Sequence, residues 1–314
     1  MICILPLLRN IREAWPQVQL DVLASEKNAP ILQGTGLADN IYIFPGGHAL
    51  LRNRYLQIAK AVKPIQPKGY DLVIAVKGGF SPLLGILTYA THIPWRLGYV
   101  PTRGHPLDFC FNMQVQLPRQ REHQVESCLR FLEPLGIPRT SCDLSFTLNA
   151  EHQEYAEHVL RKAQLEERSF VLFNASSDRH ESRWTVEKIA ATAVAIKNRF
   201  GLSTLVCGLK RDHHLLEKIE ALAPSAVPTI AEPTSIHYFA SLVQKARFLM
   251  CGDGGPMHVA AAMGTPVFVL FSATDPQIWR PYGVPFAYAH QGRLVADISS
   301  AEVIARIEEW LPTF

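Results

Sequence analysis

Asp253-Gly254-Gly255-Pro256-Met257-His258 is the run whose residue types and spacing are best suited to chemistry. It follows ARFLMCG (246–252), an apolar run that reads as a strand ending at Gly252. Proline suits the first helical position, so a helix is expected over 256–263. Met257, Ala260, Ala261 and Met263 can pack that helix against a sheet. The turn between strand and helix has two glycines, which let an anion approach free backbone N–H groups. The helix end adds about half a positive charge there. His258 lies in the first helical turn and can face the same anion. GTPVFVLF then supplies the next strand, and Ser272-Ala273-Thr274-Asp275-Pro276 ends it in a second polar loop. Two adjacent loops, 253–258 and 272–276, converge at strand carboxyl ends, a geometry that suits a diphosphate. Taken singly, these residues have blander readings: a tight turn for Gly-Gly-Pro, an N-cap for Asp253, a capping or core side chain for His258.

The elements that hold these loops follow from periodicity. VQLDVLA (18–24), NIYIF (40–44), DLVIAV (71–76), WRLGYV (95–100) and MQVQL (113–117) read as strands, as do FVLFNA (170–175), LSTLVCG (202–208), ARFLMCG and TPVFVLF (265–271). Their continuous Val/Ile/Leu runs indicate strands buried on both faces of parallel sheets. Helical patterns lie between them, at 6–15, 50–62, 81–90, 123–136, 150–164, 185–199, 212–222, 234–244 and 256–263, with a serine-capped helix at 299–311. The alternation gives an α/β fold built from doubly wound units. The pattern restarts after a polar stretch near 145–165. The expected domains are 1–148, then 149–298 with a C-terminal helix at 299–314. Two such domains would face a cleft.

Bulk properties narrow the function. With 48% hydrophobic and 19% charged residues, a chain of 314 residues can bury two cores and is globular. A formal net charge of +3 is too small to argue for nucleic acid. The six cysteines are scattered without C-x-x-C or zinc-ligand spacing, which favours reduced thiols in a cytoplasm. Cys251 reads as a small core residue. No segment has the clean apolar run of about 18–20 residues that a membrane helix needs, since Phe80–Trp95 is broken by prolines, a glycine and a histidine.

The 253–281 stretch resembles the signature of glycosyltransferase family nine, the ADP-heptose:lipopolysaccharide heptosyltransferases. That signature runs D-[ST]-G-P-M-H-[LIV]-A-A-A-L-G-T-P-V, then T-[DS]-P and W-x-P. Here it reads Asp253 to Pro266, then Thr274-Asp275-Pro276 and Trp279-Arg280-Pro281. The resemblance extends over nearly the whole chain, including HQVESCLRFLEPLGI and FVLFNASSDRHESRWTVEKIAATA. It implies a GT-B architecture, with two Rossmann-like domains and the nucleotide sugar held mainly by the C-terminal one. It also implies an inverting transfer of heptose from ADP-heptose to the lipopolysaccharide inner core, with no cofactor and no metal. The chain has no D-x-D motif. The partners implied are a nucleotide-sugar donor and a lipid-linked saccharide acceptor. The implied location is cytoplasmic, peripheral on the inner face of the inner membrane. The donor-side residues are Asp253, Gly254, Gly255, Pro256, Met257, His258, Asn174, Ser176, Arg183, Thr274 and Asp275. On the acceptor side, Lys77 and Gly78 follow the strand DLVIAV. Arg119, Arg121 and His123 form a basic cluster open to an acidic acceptor or to solvent.

Three departures from the family pattern carry expectations of their own. The family begins with a strand and a loop ending Gly-Asp, whose aspartate is its proposed general base. MICILPLL starts at the residue after that loop, so the expected catalytic aspartate lies before Met1. We expect the natural reading frame to start upstream; a rearranged sheet in an inactive protein is the alternative. Ser182 stands at the lysine position of K-x-W, where Arg183 or Arg179 could serve phosphate instead. Gly254 stands where threonine or serine is usual. Two other functions stay open: a non-catalytic nucleotide-sugar-binding relative, or a GT-B enzyme using another nucleotide sugar.

Overall fold

The computed structural model describes residues 1–44, 58–77, 79–117 and 120–313. Gly78, Arg119 and most of the helix expected over 50–62 lie outside the described residues; 58–62 are helical. The chain divides into two compact units, Met1–Leu144 and Ser145–Phe314.

The second unit is a doubly wound sheet. Its strands are β6 (Phe170–Asn174), β7 (Ser203–Cys207), β8 (Ile230–Ala231), β9 (Phe248–Gly252), β10 (Val267–Phe271) and β11 (Phe286–His290). They lie in the order β11-β10-β9-β6-β7-β8, all parallel. Counted from β6, this is the 3-2-1-4-5-6 order read from the other edge. The helices are α4 (Ala150–Ala163), α5 (Val186–Phe200), α6 (His213–Leu222), α7 (Ile236–Lys245), α8 (Gly255–Ala262), α9 (Pro276–Trp279) and α10 (Ser300–Trp310). Each of α4, α5, α7 and α10 opens on a side-chain cap, from Asn149, Thr185, Ser235 and Ser299 respectively. Val303, Ile304, Ile307 and Trp310 of α10 join the core formed by β6, β9 and β10. The C-terminal helix is thus part of the second unit's core.

The first unit holds α1 (Leu5–Ala14), β1 (Asp21–Ser25), β2 (Asn40–Phe44), β3 (Leu72–Ala75), α2 (Pro82–Ala90), β4 (Trp95–Val100), β5 (Met113–Gln116) and α3 (Gln124–Leu129). Its strands are parallel but form two sheets, β1-β2 and β3-β4-β5. Among the described residues β1 and β3 each pair on one side only. Within each sheet the strands lie in chain order.

Two strands were not foreseen. β8 has only two residues, and FAYAH alternates at an edge directly after Pro285, unlike the continuous runs of inner strands. The helix expected over 123–136 is α only to Leu129 and continues as a 3₁₀ turn through Leu135. Pro134 has no N–H to close an α-helical bond there. Among the described residues no helix is long and apolar enough to cross a membrane.

Candidate donor site at the strand ends of the second unit

β6, β9 and β10 are neighbours, so the loops leaving their carboxyl ends meet. Asp253 sits at that meeting point, 2% exposed. Its backbone N–H continues the ladder to Leu270 O at 3.0 Å. Its carboxylate accepts hydrogen bonds from Ser182 and Thr274 hydroxyls and from Ser272 Oγ at 3.0 Å. The Arg179 guanidinium lies 2.7 Å from the same carboxylate and donates to the Asp253 carbonyl at 2.7 Å. Ser182 and Ser272 are themselves buried. One acid therefore fastens three loops together.

Burial is the largest single influence on Asp253 and opposes its charge. The Ser182 and Thr274 hydrogen bonds, the Arg179 charge and the Ser272 hydrogen bond together outweigh it, and the carboxyl is held below its ordinary value. The sign of the consequence is fixed. A depressed carboxyl stabilises the fold above its unfolded value of about 3.9, and this is lost as pH falls through the lower folded value. We expect the stability difference between wild type and Asp253→Asn to be flat from neutral pH to about 4 and to shrink below that. Chemical denaturation across the acid range checks it; a difference that grows below pH 4 would contradict the network.

Asp253, expected on the donor side, spends its carboxylate on this network. Its side chain is enclosed by donors from its own protein, and a carboxylate repels phosphate. Thr274 likewise spends its hydroxyl on Asp253, and Ser182, at the lysine position, does the same. Asp275 caps α9 by accepting from Gln277 N at 2.9 Å. Ser176 Oγ donates to Asp212 at 2.7 Å and accepts from Leu209 N at 2.8 Å, so it ties the β6 loop to the start of α6. Asn174 donates to Ser176 O at 2.8 Å, and Arg183 Nε donates to Ser177 O at 2.9 Å. Met257 is buried, and only its backbone is available to a ligand. Cys251 is fully buried, and burial pushes its thiol up, as a core residue.

What the network leaves open is the N-terminus of α8. Its N-cap is Gly254, with φ 158° and ψ −160°, a region held essentially by glycine. The N–H groups of Gly254, Gly255 and Met257 have no intrahelical partner, and Pro256 has none to offer. No side chain caps this end. Gly252 brings the 180–182 turn close, since a Cβ there would overlap the Ser182 carbonyl oxygen. His258 is half-buried and meets Trp279 of α9 edge-on, with ring centroids 6.2 Å apart. This is a helix N-terminus held in place by the Asp253 network, with an imidazole beside it.

Comparison with known proteins adds the decisive observation. The family model for glycosyltransferase family 9 (heptosyltransferase) matches residues 58–290. The chain belongs to glycosyltransferase family 9. Lipopolysaccharide heptosyltransferase 3 of Escherichia coli K12 is 24% identical over 294 residues, which cover 90% of this chain and 82% of that one. Lipopolysaccharide core heptosyltransferase OpsX of Haemophilus influenzae is 22% identical over 281 residues, covering 88% and 77%. The solved family 9 glycosyl transferase of Veillonella parvula superposes with a TM-score of 0.81 at 20% identity, over 100% of this chain and 94% of that one. E. coli heptosyltransferase WaaC with ADP superposes with a TM-score of 0.73 at 21% identity, over 98% and 93%. The structural likenesses show the GT-B fold of this family 9 member.

The acceptor-side expectations fall in the first unit of the family 9 chain. Lys77 is exposed just beyond β3, and Gly78 is outside the described residues. Arg121 lines a cavity of about 500 Å³ with Gln116 and the Arg130–Glu122 ion pair. His123 is the N-cap of α3, its Nδ1 accepting from Val125 N at 3.1 Å. It belongs to the scaffold and not to a basic surface. Sequence reasoning put Ser272 in the converging 272–276 loop and Trp279 in the W-x-P motif without seeing their contacts with Asp253 and His258, and saw Arg179 only as a phosphate ligand. The strand order, once known, is the signal that brings them together.

Proposed function

We propose that the chain is an inverting heptosyltransferase that moves heptose from ADP-heptose to the lipopolysaccharide inner core. The observation that carries this reading is the uncapped N-terminus of α8, fixed by Asp253 and flanked by His258, in a family 9 chain. In the reaction an acceptor hydroxyl oxygen attacks the anomeric carbon. The bond from that carbon to the diphosphate breaks, and ADP leaves with the electron pair. Charge then grows on the diphosphate, where the free N–H groups of Gly254, Gly255 and Met257 and the helix dipole favour it. His258 is proposed as a further donor to the phosphates. The hydroxyl proton passes to a carboxylate acting as general base, a role assigned to no described residue. A lipid-linked acceptor would be met at the inner face of the inner membrane.

The test is incubation with ADP-heptose and a heptose-deficient lipopolysaccharide core, with other nucleotide sugars in parallel. New heptosyl product supports the reading. Transfer from a different nucleotide sugar would replace it by another GT-B activity, and ADP-heptose binding without transfer would leave a non-catalytic relative. For the site itself, His258→Ala is expected to weaken ADP binding about tenfold, the loss of one hydrogen bond to a charged group. Calorimetric titration reads this directly, and unchanged affinity would remove His258 from the donor site.

A further inference from the structure

The amino ends of β3, β4 and β5 lie side by side, because the three strands are parallel neighbours. Three large aromatic side chains stand exposed there. Tyr89 lies at the end of α2, Trp95 at the start of β4 and Phe109 in the turn before β5, and they are 47%, 56% and 59% exposed. Tyr89 meets Phe109 edge-on, with ring centroids 5.3 Å apart, and the Arg96 guanidinium lies 5.4 Å from the Tyr89 ring centre. Arg96 also donates to the carbonyls of Cys110 at 2.8 Å and Ile93 at 2.9 Å, which ties together the backbone that carries these rings. Single exposed apolar residues are ordinary, but several held together mark a contact surface.

Cations flank this cluster. Gln66 Nε2 donates to Ala90 O at 3.0 Å, which brings the turn carrying Lys63 and Lys68 to the end of α2. Ile58, Ala61 and Val62 of the preceding helical segment share an apolar cluster with Leu87 of α2. Lys63 N donates to Ala59 O at 3.0 Å and so continues that helix, which puts Lys60 and Lys63 on one side of it. All three lysines are exposed. Among the described residues of 58–71, 89–96 and 108–112 the acids are Asp71 and Asp108, and Asp108 turns inward to accept from His105 N at 2.6 Å. The outward charge is therefore mainly positive. Protein interfaces are depleted in lysine, whereas a bilayer surface takes tryptophan and tyrosine at the headgroup level and lysine at anionic lipid. Lysine stems suit that layer, because they lie along apolar surface while the ammonium stays in the polar region.

We propose that this end of the first unit is a docking face for an anionic lipid bilayer, with Tyr89, Trp95 and Phe109 entering the headgroup layer and Lys60, Lys63 and Lys68 meeting lipid phosphates. The rings supply the hold, and the lysines supply the preference for anionic lipid. The face lies at the opposite end of β3 from Lys77, so a bilayer seated on it leaves the carboxyl ends of these strands open. It gives the proposed function a surface through which to reach a membrane, but it does not rest on that reading, since lipid binding needs neither donor nor acceptor.

The test is co-sedimentation of the full chain with two kinds of vesicle, phosphatidylcholine alone and equal parts of phosphatidylcholine and phosphatidylglycerol. Binding to the mixed vesicles is expected to be about tenfold or more the stronger and to weaken as salt rises. Lys60→Gln, Lys63→Gln and Lys68→Gln together should remove that preference. Tyr89→Ser, Trp95→Ser and Phe109→Ser together should lower binding to the mixed vesicles about tenfold or more. Because Tyr89 and Phe109 also pack on each other, a milder variant keeps the test independent of folding. Trp95→Phe should still bind, but with less quenching of tryptophan fluorescence by brominated lipid than wild type shows. Equal binding of wild type to both kinds of vesicle, or to neither, would overturn the proposal, as would unchanged binding in either triple variant or unchanged quenching in Trp95→Phe. So would a dimer mass that rises with concentration and is lost in the aromatic variant while vesicles go unbound, because a second copy would then be the occupant.

Discussion

Asp253→Ala is expected to destabilise the second unit by about 3–5 kcal/mol, the usual cost of removing one partner from a buried ion pair. For a unit of this size that is a fall in Tm of roughly 6–20 °C. The reason lies in what is left behind. Arg179 loses its counter-ion, and the hydroxyls of Ser182, Ser272 and Thr274 lose a common acceptor while two of the three stay buried. ADP binding should disappear at temperatures where the variant is still folded, because the loops from β6 and β10 are no longer fastened to the turn before α8. Asp253→Asn keeps one acceptor oxygen and should cost less, about 1–3 kcal/mol. Thermal unfolding and calorimetry with ADP check both statements. A Tm for Asp253→Ala within about 2 °C of wild type would show that the carboxylate does not hold the loops.

That role could not be read from the sequence. The Asp253-Gly254-Gly255-Pro256 turn was legible, because a strand ending at glycine and a proline opening a helix are local signals. So were nine of the eleven strands among the described residues, most of them continuous Val, Ile and Leu runs. The partners of Asp253 are not local: Ser182 is 71 residues away and Ser272 is 19. Only the sheet order, with β6 and β10 on either side of β9, brings them to one acid. Asp253 therefore reads as a ligand in sequence and is a lock in structure. Ser182 reads as a departure from a lysine and is one of the donors to that lock.

Trp184→Ala should lower stability about as much as Asp253→Ala, by about 3–5 kcal/mol, yet spare ADP binding in the folded protein. Trp184 is the tryptophan of the K-x-W position, and its place in a motif suggests contact with the donor. Its surroundings are those of a core residue. The indole is 6% exposed and stacks on Phe173, with centroids 6.2 Å apart and planes at 18°. Its Nε1 donates to Ile298 O at 3.0 Å, which fixes the start of α5 to the chain just before α10. Removing the ring leaves a void beside Phe173, and voids of that size are costly. Removing only the N–H is milder, because Lys188 Nζ also donates to Ile298 O at 3.0 Å. Trp184→Phe should therefore cost only about 1–2 kcal/mol, since the carbonyl keeps a partner. The two variants separate scaffold from site. Both Asp253→Ala and Trp184→Ala lose stability, but only the first should lose ADP when measured well below its Tm. If Trp184→Ala also fails to bind ADP there, the tryptophan shapes the donor pocket, and the boundary between core and site lies nearer to α5 than the Asp253 network puts it.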